Sequence, residues 1–345
     1  LFPVLYGFWV YKLTWAEYPT VRRLAEQFLS LAEQKSDVGA ILTGHRILGF
    51  SQSCLGEFAD ARRHFGKVLA LYEPARDASL AFRYGQDPKA AAAAMLGWNL
   101  WHLGYPDQAV QFSDEAVAYA QELNHANTRG YVETFGAARI HLFRRDRQAV
   151  QRYVTSMIAL CEEQGLVFWV GFIKTFEGWA MAEHGHYEKA IGRIREGLAA
   201  FDKTSTSMLR AHAYAILAQA HAGCNQTEES LRVLDQALKV ADRTDEHWIS
   251  AELHRLKGEV LLQADGDANV TTVPESCFQR SLTIARERQA KSWELRAATS
   301  LARLWGEQGE RRKAHDLLAP VYDWFTEGFD TADLKDAKAL LDELR

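Results

Sequence analysis

The chain has 345 residues, 48% of them hydrophobic and 25% charged, with a formal net charge of −5 and its acids and bases dispersed. This is the composition of a folded protein with more than one compact core; it excludes a disordered chain and gives no electrostatic footprint for nucleic acid or an anionic membrane. Apolar runs such as 166–173 stop short of the ~20 residues of a membrane span.

The first residues, LFPVLYGFWVYKLTW, lack an initiating Met, a basic leader and a small-residue cleavage site, so they read as a chain cut from something longer rather than as a signal peptide. A joint in TWAEYPTVRRLAEQF, from Thr14, then turns one helix back on the next. Related joints follow as LGEFADARRHF from Leu55, LGYPDQAVQFS from Leu103, FRRDRQAVQRY from Phe143, HGHYEKAIGRI from His184, GCNQTEESLRV from Gly223 and QGERRKAHDLL from Gln308. At the third joint, Leu96, Leu100 and Leu103 recur at helical spacing before Gly104, and Ala109, Phe112, Ala116 and Ala120 continue the stripe after it. Pro106 suits a first helical turn, where its missing N–H costs nothing. Aligned on Gly56, Gly104, Arg144, Gly185, Asn225 and Gly309, the intervals are 48, 40, 41, 40 and 84 residues, the last being two units. WISAELHRLKGEVLLQ from Trp248 and ESCFQRSLTIARE from Glu275 supply the missing unit around a polar insert. Beyond the last joint, Pro320 is expected to kink its helix after Ala319. A closing helix then starts at a Thr331 or Asp330 cap, with Leu334, Ala337, Leu341 and Leu344 along one side.

No segment alternates at period two for long enough to need a strand. The expected fold is all-α, with about eight antiparallel helix pairs at 1–36, 37–78, 88–124, 128–165, 168–203, 207–243, 247–288 and 291–327 and a cap at 328–345. The small–small–aromatic grammar resembles that of tetratricopeptide repeats (TPRs), most fully in 42–74 and 90–123; units from Arg129 and Met208 keep less of it. The resemblance implies one TPR-like right-handed superhelix over 1–345.

Two stretches carry a more specific resemblance. Residues 83–109, RYGQDPKAAAAAMLGWNLWHLGYPDQA, and 294–344, from ELRAATSLARLWGEQG onward, look like the C-terminal TPR region of large bacterial signalling ATPases, many of which carry an adenylate or guanylate cyclase domain. This implies a cytoplasmic, non-catalytic interaction and regulatory arm without cofactor. Its partner would be a protein or peptide, or the parent's own ATPase or cyclase domains, with neither nucleic acid nor membrane involved. A second class, small-ligand sensing, follows from the maltose-regulator type of signalling ATPase, whose repeat domain takes an oligosaccharide. The chain has no GxxxxGK[ST] phosphate loop, no GxSxG and no HExxH.

Local motifs favour bland readings. His184 and His186 lie in an elbow without a third metal ligand nearby in sequence, and DGDAN at 265–269 starts like a calcium loop but has Val270 and Ser276 where Gly and Glu belong. Cys54, Cys161, Cys224 and Cys277 are far apart, as expected of thiols on helices in a reducing compartment. Asn225-Gln-Thr and Asn269-Val-Thr are read as chance glycosylation matches. The inner surface remains. As the TPR resemblance implies, the first helix of each pair lines a concave groove. Its register selects Thr43, Arg46, Phe50 and Ser53; Trp98 and Trp101; Tyr131, Thr134 and His141; Phe172, Thr175 and Trp179; His212 and Gln219; and Arg296, Thr299 and Arg303. Aromatic residues with Arg and His are a recognition composition. On this reading Trp98, Trp101, Tyr131, His141, Phe172 and Trp179 form one inner wall; the alternative is that the tryptophans pack between repeats.

Overall fold

The structure is a computed structural model that describes residues 1–264 and 272–345. Its elbows are the points where the backbone enters the left-handed region: Ala16, Gly56, Gly104, Arg145, Gly185, Asn225 and Gly309, with φ between +57° and +89°. Gly and Asn adopt this conformation at least cost, which is why they mark most joints. The fourth joint turns at Arg145, one residue past the Arg144 of the sequence alignment, so the spacing from Gly104 is 41 and the next is 40. At Gly104 there is a second constraint: a Cβ would lie 2.5 Å from the Trp324 ring and 2.8 Å from Lys291 Cβ.

Helix α1 (Phe2–Thr14) pairs with α2 (Tyr18–Gln34), and α3 (Val38–Cys54) with α4 (Phe58–Leu71). Two short helices, α5 (Pro74–Asp77) and α6 (Leu80–Tyr84), then lengthen the unit and account for its 48-residue interval. Next come α7 (Pro88–His102) with α8 (Pro106–Leu123), and a composite helix with α11 (Arg147–Gln164). The composite runs through α9 (Ala126–Tyr131), a π-helical stretch (Val132–Ala138) and α10 (Arg139–Phe143). A 3₁₀ turn (Val167–Trp169) leads into α12 (Val170–Ala182), paired with α13 (Tyr187–Lys203). The last pairs are α14 (Arg210–Gly223) with α15 (Thr227–Thr244), α16 (Ser250–Ala264) with α17 (Thr272–Glu287), and α18 (Lys291–Glu307) with α19 (Arg311–Tyr322); α20 (Ala332–Leu344) closes the stack. Among the described residues there is no strand. The calcium-like 265–269 lies outside the described residues.

The first and second helices of a pair differ physically. Every residue of α7 except Lys89 is buried, as are fourteen of the residues of α3, so these helices are enclosed on all sides. In α15 only one stripe is buried, through Val233, Leu234, Ala237 and Ala241, and the charges face outward. The first helices therefore line the inside of a right-handed superhelix and the second helices its outside. Close approach within a pair needs small residues; a Cβ on Gly97 would lie 2.7 Å from the Ala109 carbonyl oxygen.

The superhelix closes on itself through a regular seam. The elbow carbonyl of Thr14, in pair one, accepts from Ser207 N at 2.7 Å, at the start of pair six. That of Cys54, in pair two, accepts from Trp248 N at 3.4 Å, before pair seven. Trp101 of pair three accepts from the Ser292 hydroxyl of pair eight, and Phe143 of pair four from Arg296 Nη2 at 2.6 Å. Arg145 meets Asp333 at 2.8 Å and Asp336 at 2.6 Å, so α20 takes the place of a ninth pair.

In the last pair, helix α19 runs past Ala319 to Tyr322 with Pro320 inside it, and Asp323 N reaches the Ala319 carbonyl at 2.9 Å. Thr331 is the residue before α20, but its hydroxyl donates back to the Gly328 carbonyl instead of accepting from the helix. Leu334, Ala337, Leu340, Leu341 and Leu344 are buried against the end of the stack. The linker before α20 supplies what α8 lacks. Tyr105 gives α8 no side-chain cap, and Glu327 Oε1 accepts from Asp107 N at 2.9 Å and Gln108 N at 3.0 Å. A carboxylate from 220 positions away thus caps a helix of pair three. Glu327→Ala should cost about 1 kcal/mol, the usual size of a lost cap, seen as a melting temperature lower by about 1–2 °C; Glu327→Gln should recover part of it.

Candidate functional site

Where the two superhelical turns meet, the inside is filled by aromatic rings. Trp98 packs edge-on against Trp248 at 5.1 Å between centroids, and Trp101 edge-on against Trp293 at 4.7 Å and at a 30° tilt against Phe143 at 4.5 Å. His102 stacks on Phe58 at 4.3 Å and its Nδ1 lies 2.9 Å from the Trp98 carbonyl oxygen. Burial pushes this imidazole down to about 3, so it is neutral. Trp293 Nε1 donates to the Trp248 carbonyl at 2.9 Å, so the second turn is tied to itself at the same level.

Beside this packed axis lies a cavity of about 300 Å³, bounded by α10, α12, α14, α16, α18 and α20. Phe143, Trp179, His212 and Trp293 give its apolar part. Its charged wall alternates in sign. Glu252 bridges Arg255 at 2.7 Å and Arg296 at 3.2 Å, Arg296 reaches Asp333 at 2.8 Å, and Glu259 accepts from Arg255 at 3.0 Å. Burial alone would raise Glu252, but Arg255 and Arg296 hold its carboxyl below the usual glutamate range. Arg255 and Arg145 are likewise held above the ordinary arginine value by their carboxylates, against the effect of burial. Arg303 and Glu183 also line the cavity; both are exposed and form no ion pair among the described residues. A wall of paired charges around aromatic surface, with one free guanidinium, can hold a polar chain bearing a carboxylate.

The residues selected from the sequence divide in two. Trp179, His212, Arg296 and Arg303 come together on this cavity, with Thr299 and Gln219. Trp98 and Trp101 are 0% and 2% exposed and lie in the packed axis, so the expected continuous wall from the third to the fifth pair is corrected to a filled interior there. The cause is the second superhelical turn, which brings Trp248 and Trp293 onto those indoles. Arg46 is buried and donates to Tyr6 of α1 at 2.9 Å. Phe50, Tyr131 and Phe172 meet Phe135 at 6.0, 5.1 and 5.3 Å. His141 faces α11 instead, stacked on Tyr153 at 5.8 Å with Nδ1 3.4 Å from Asp146.

Sequence reasoning missed Glu252, Arg255 and Glu259, though a signal existed: they stand 44 residues before Arg296, Thr299 and Arg303, so the same register projected onto the seventh pair selects them. Asp333 and Asp336 had no such signal, because only the seam turns α20 inward. Among the described residues no group of three or more His, Cys, Asp or Glu side chains is placed to hold a metal ion, and no helix is long and apolar enough to cross a membrane. His184 and His186 stack on each other in their elbow, 6.3 Å apart.

Two segments, 90–115 and 211–236, match the tetratricopeptide repeat family. They are pairs three and six, so the sixth pair, which keeps less of the repeat grammar by eye, is one of the two recognised. No curated protein sequence matches the chain. Solved structures share its fold. A Rap protein complexed with Competence and Sporulation Factor superposes with a TM-score of 0.58 at 12% identity, covering 100% of this chain and 99% of that one. The apo quorum sensor NprR from B. thuringiensis gives 0.51 at 12% identity, with 92% and 97% covered. A Signal Transduction ATPase with Numerous Domains (STAND) protein with a tetratricopeptide repeat sensor, from Pyrococcus horikoshii, gives 0.50 at 11% identity, covering 94% of this chain and 54% of that one. The chain thus carries tetratricopeptide repeats on a TPR-like superhelix.

Proposed function

We propose that the chain is a non-catalytic regulatory arm of a bacterial, cytoplasmic signalling ATPase or nucleotidyl cyclase, and that it binds a protein segment or peptide in the cavity beside the aromatic axis. The observation that carries this reading is the wall itself. Trp179 and Trp293 supply apolar surface, Arg296 and Arg255 are held in place by Glu252, and Arg303 is left free to take a carboxylate. A superhelix of this fold is complexed with Competence and Sporulation Factor in the Rap protein and serves as the sensor of the STAND protein, in keeping with the reading.

Binding is tested by fluorescence anisotropy against an array of short peptides with acidic and aromatic positions. Arg303→Glu should weaken the best binder at least tenfold while leaving the melting temperature unchanged, because the side chain is exposed and forms no ion pair among the described residues. Trp179→Ala should weaken it by tens-fold, the scale of an aromatic hot spot of ~2 kcal/mol. Equal affinity in Arg303→Glu would remove the cavity from the binding site. The two indoles also suit a sugar, and a titration with maltooligosaccharides that quenches tryptophan fluorescence, with no peptide binding, would favour the sensor reading. A nucleotide-binding domain encoded upstream of Leu1 is expected in the gene; its absence would leave a free-standing scaffold.

A further inference from the structure

Arg139 is the first residue after the π-helical stretch 132–138 and is 1% exposed. Its Nε, Nη1 and Nη2 have no hydrogen-bond partner among the described residues. The guanidinium carbon lies 5.0 Å from the ring of Phe135, 5.4 Å from Trp98, 5.8 Å from Phe176 and 5.8 Å from Trp248. Rings on both superhelical turns therefore surround it. Their faces favour the cation but accept none of its five N–H groups. Four further polar atoms on neighbouring residues are unpartnered among the described residues: Trp98 Nε1, Glu246 Oε2, His102 Nε2 and the Tyr131 hydroxyl. The other oxygen of Glu246 accepts from Trp248 Nε1 at 2.8 Å. Burial pushes this carboxyl up to about 8, so it is chiefly protonated at neutral pH and does not neutralise the arginine. Burial lowers Arg139 only to about 10, so it stays charged. His102 and His212, held neutral by burial, also face it, with the Cys54 thiol and the Tyr18 and Tyr131 hydroxyls, which burial keeps protonated.

A buried cation with its donors unpaired is among the costliest arrangements a folded chain can hold, and buried polar groups are with few exceptions hydrogen-bonded. Among the described residues no protein acceptor hydrogen-bonds to Arg139, and its neighbour Trp98 Nε1 is also a donor. π-Helical segments, rare in themselves, recur at functional sites. From these donors we infer that Arg139, with Trp98 Nε1, forms an interior binding site for a small monovalent anion of halide or formate size, placed between the first and second turns of the superhelix. The site is separate from the cavity assigned to the peptide. An anion there joins α10 and α7 of the first turn to the Glu246–Trp248 segment of the second, so its binding stabilises the closed seam.

Crystals of the wild-type protein grown in sodium bromide test this directly, by anomalous scattering at the bromine edge. A peak within hydrogen-bond distance of the Arg139 guanidinium is expected. Water alone at the guanidinium, or bromide confined to the outer surface, would overturn the proposal. In solution the melting temperature of the wild type should rise with the logarithm of sodium formate concentration at fixed ionic strength, and Arg139→Gln should lose that dependence. An equal slope in a folded Arg139→Gln variant would also overturn it; if that variant does not fold, the bromide map on the wild type decides.

Discussion

A chain ending at Glu327 is expected to melt well below the intact protein and to do so in a broadened transition. The deletion removes four buried leucines, Leu334, Leu340, Leu341 and Leu344, each worth about 1.5–3 kcal/mol when fully buried. It uncovers the apolar end made by Trp305, Leu318 and Val321 of the last pair. It also strips Asp333 from Arg296 and Asp333 and Asp336 from Arg145, leaving two guanidinium groups in the cavity wall without those carboxylates. The summed loss is of order 5 kcal/mol or more, even after discounting for a compact unfolded state. Circular dichroism melts and size-exclusion profiles check it. An unchanged melting curve with a monomeric profile would show that α20 is not a cap.

The second large effect belongs to Trp98. With its indole fully buried between Trp248 and His102, Trp98→Ala should destabilise by about 3–5 kcal/mol. In melting temperature that is a fall of roughly 5–10 °C for a chain of this size. Peptide binding to the folded fraction should persist, whereas Trp179→Ala, buried as well at 5% exposure and so also destabilised, should lose binding even in its folded fraction. A Trp98→Ala protein that melts normally but loses binding would return this indole to the recognition surface.

Fold and site were legible to different depths, for reasons visible in particular residues. The helix pairs could be read because each joint carries a local mark: Gly56, Gly104, Gly185, Asn225 and Gly309 all take the left-handed turn that their side chains permit. The fourth joint slipped by one because Arg145 enters that region with no such mark in its residue type. The cap was legible through Leu334, Ala337, Leu341 and Leu344, whose spacing alone defines a face. The inner wall was legible only in part. Periodicity tells that Trp98 and Arg303 face inward, but whether the inside is open or filled depends on a partner some 150 residues away, such as Trp248. Nor does any local signal announce that Glu327 caps α8 or that Asp333 reaches Arg296.

The seam has a consequence for how this protein can change over time. In an open solenoid each repeat touches only its neighbours, so a duplicated or lost repeat leaves the others undisturbed and the array simply grows or shrinks. Here pair one answers to pair six, pair two to pair seven and pair three to pair eight, each by a specific donor. Gaining or losing one unit inside the chain would set every elbow carbonyl opposite the wrong partner and part Trp98 from Trp248 and Trp101 from Trp293 together. The repeat number is therefore fixed by geometry, and variation is admitted within units, as the two short helices after α4 illustrate. Contacts of such long sequence separation also slow folding, because the entropy of closing the long loops is lost before the seam contacts repay it.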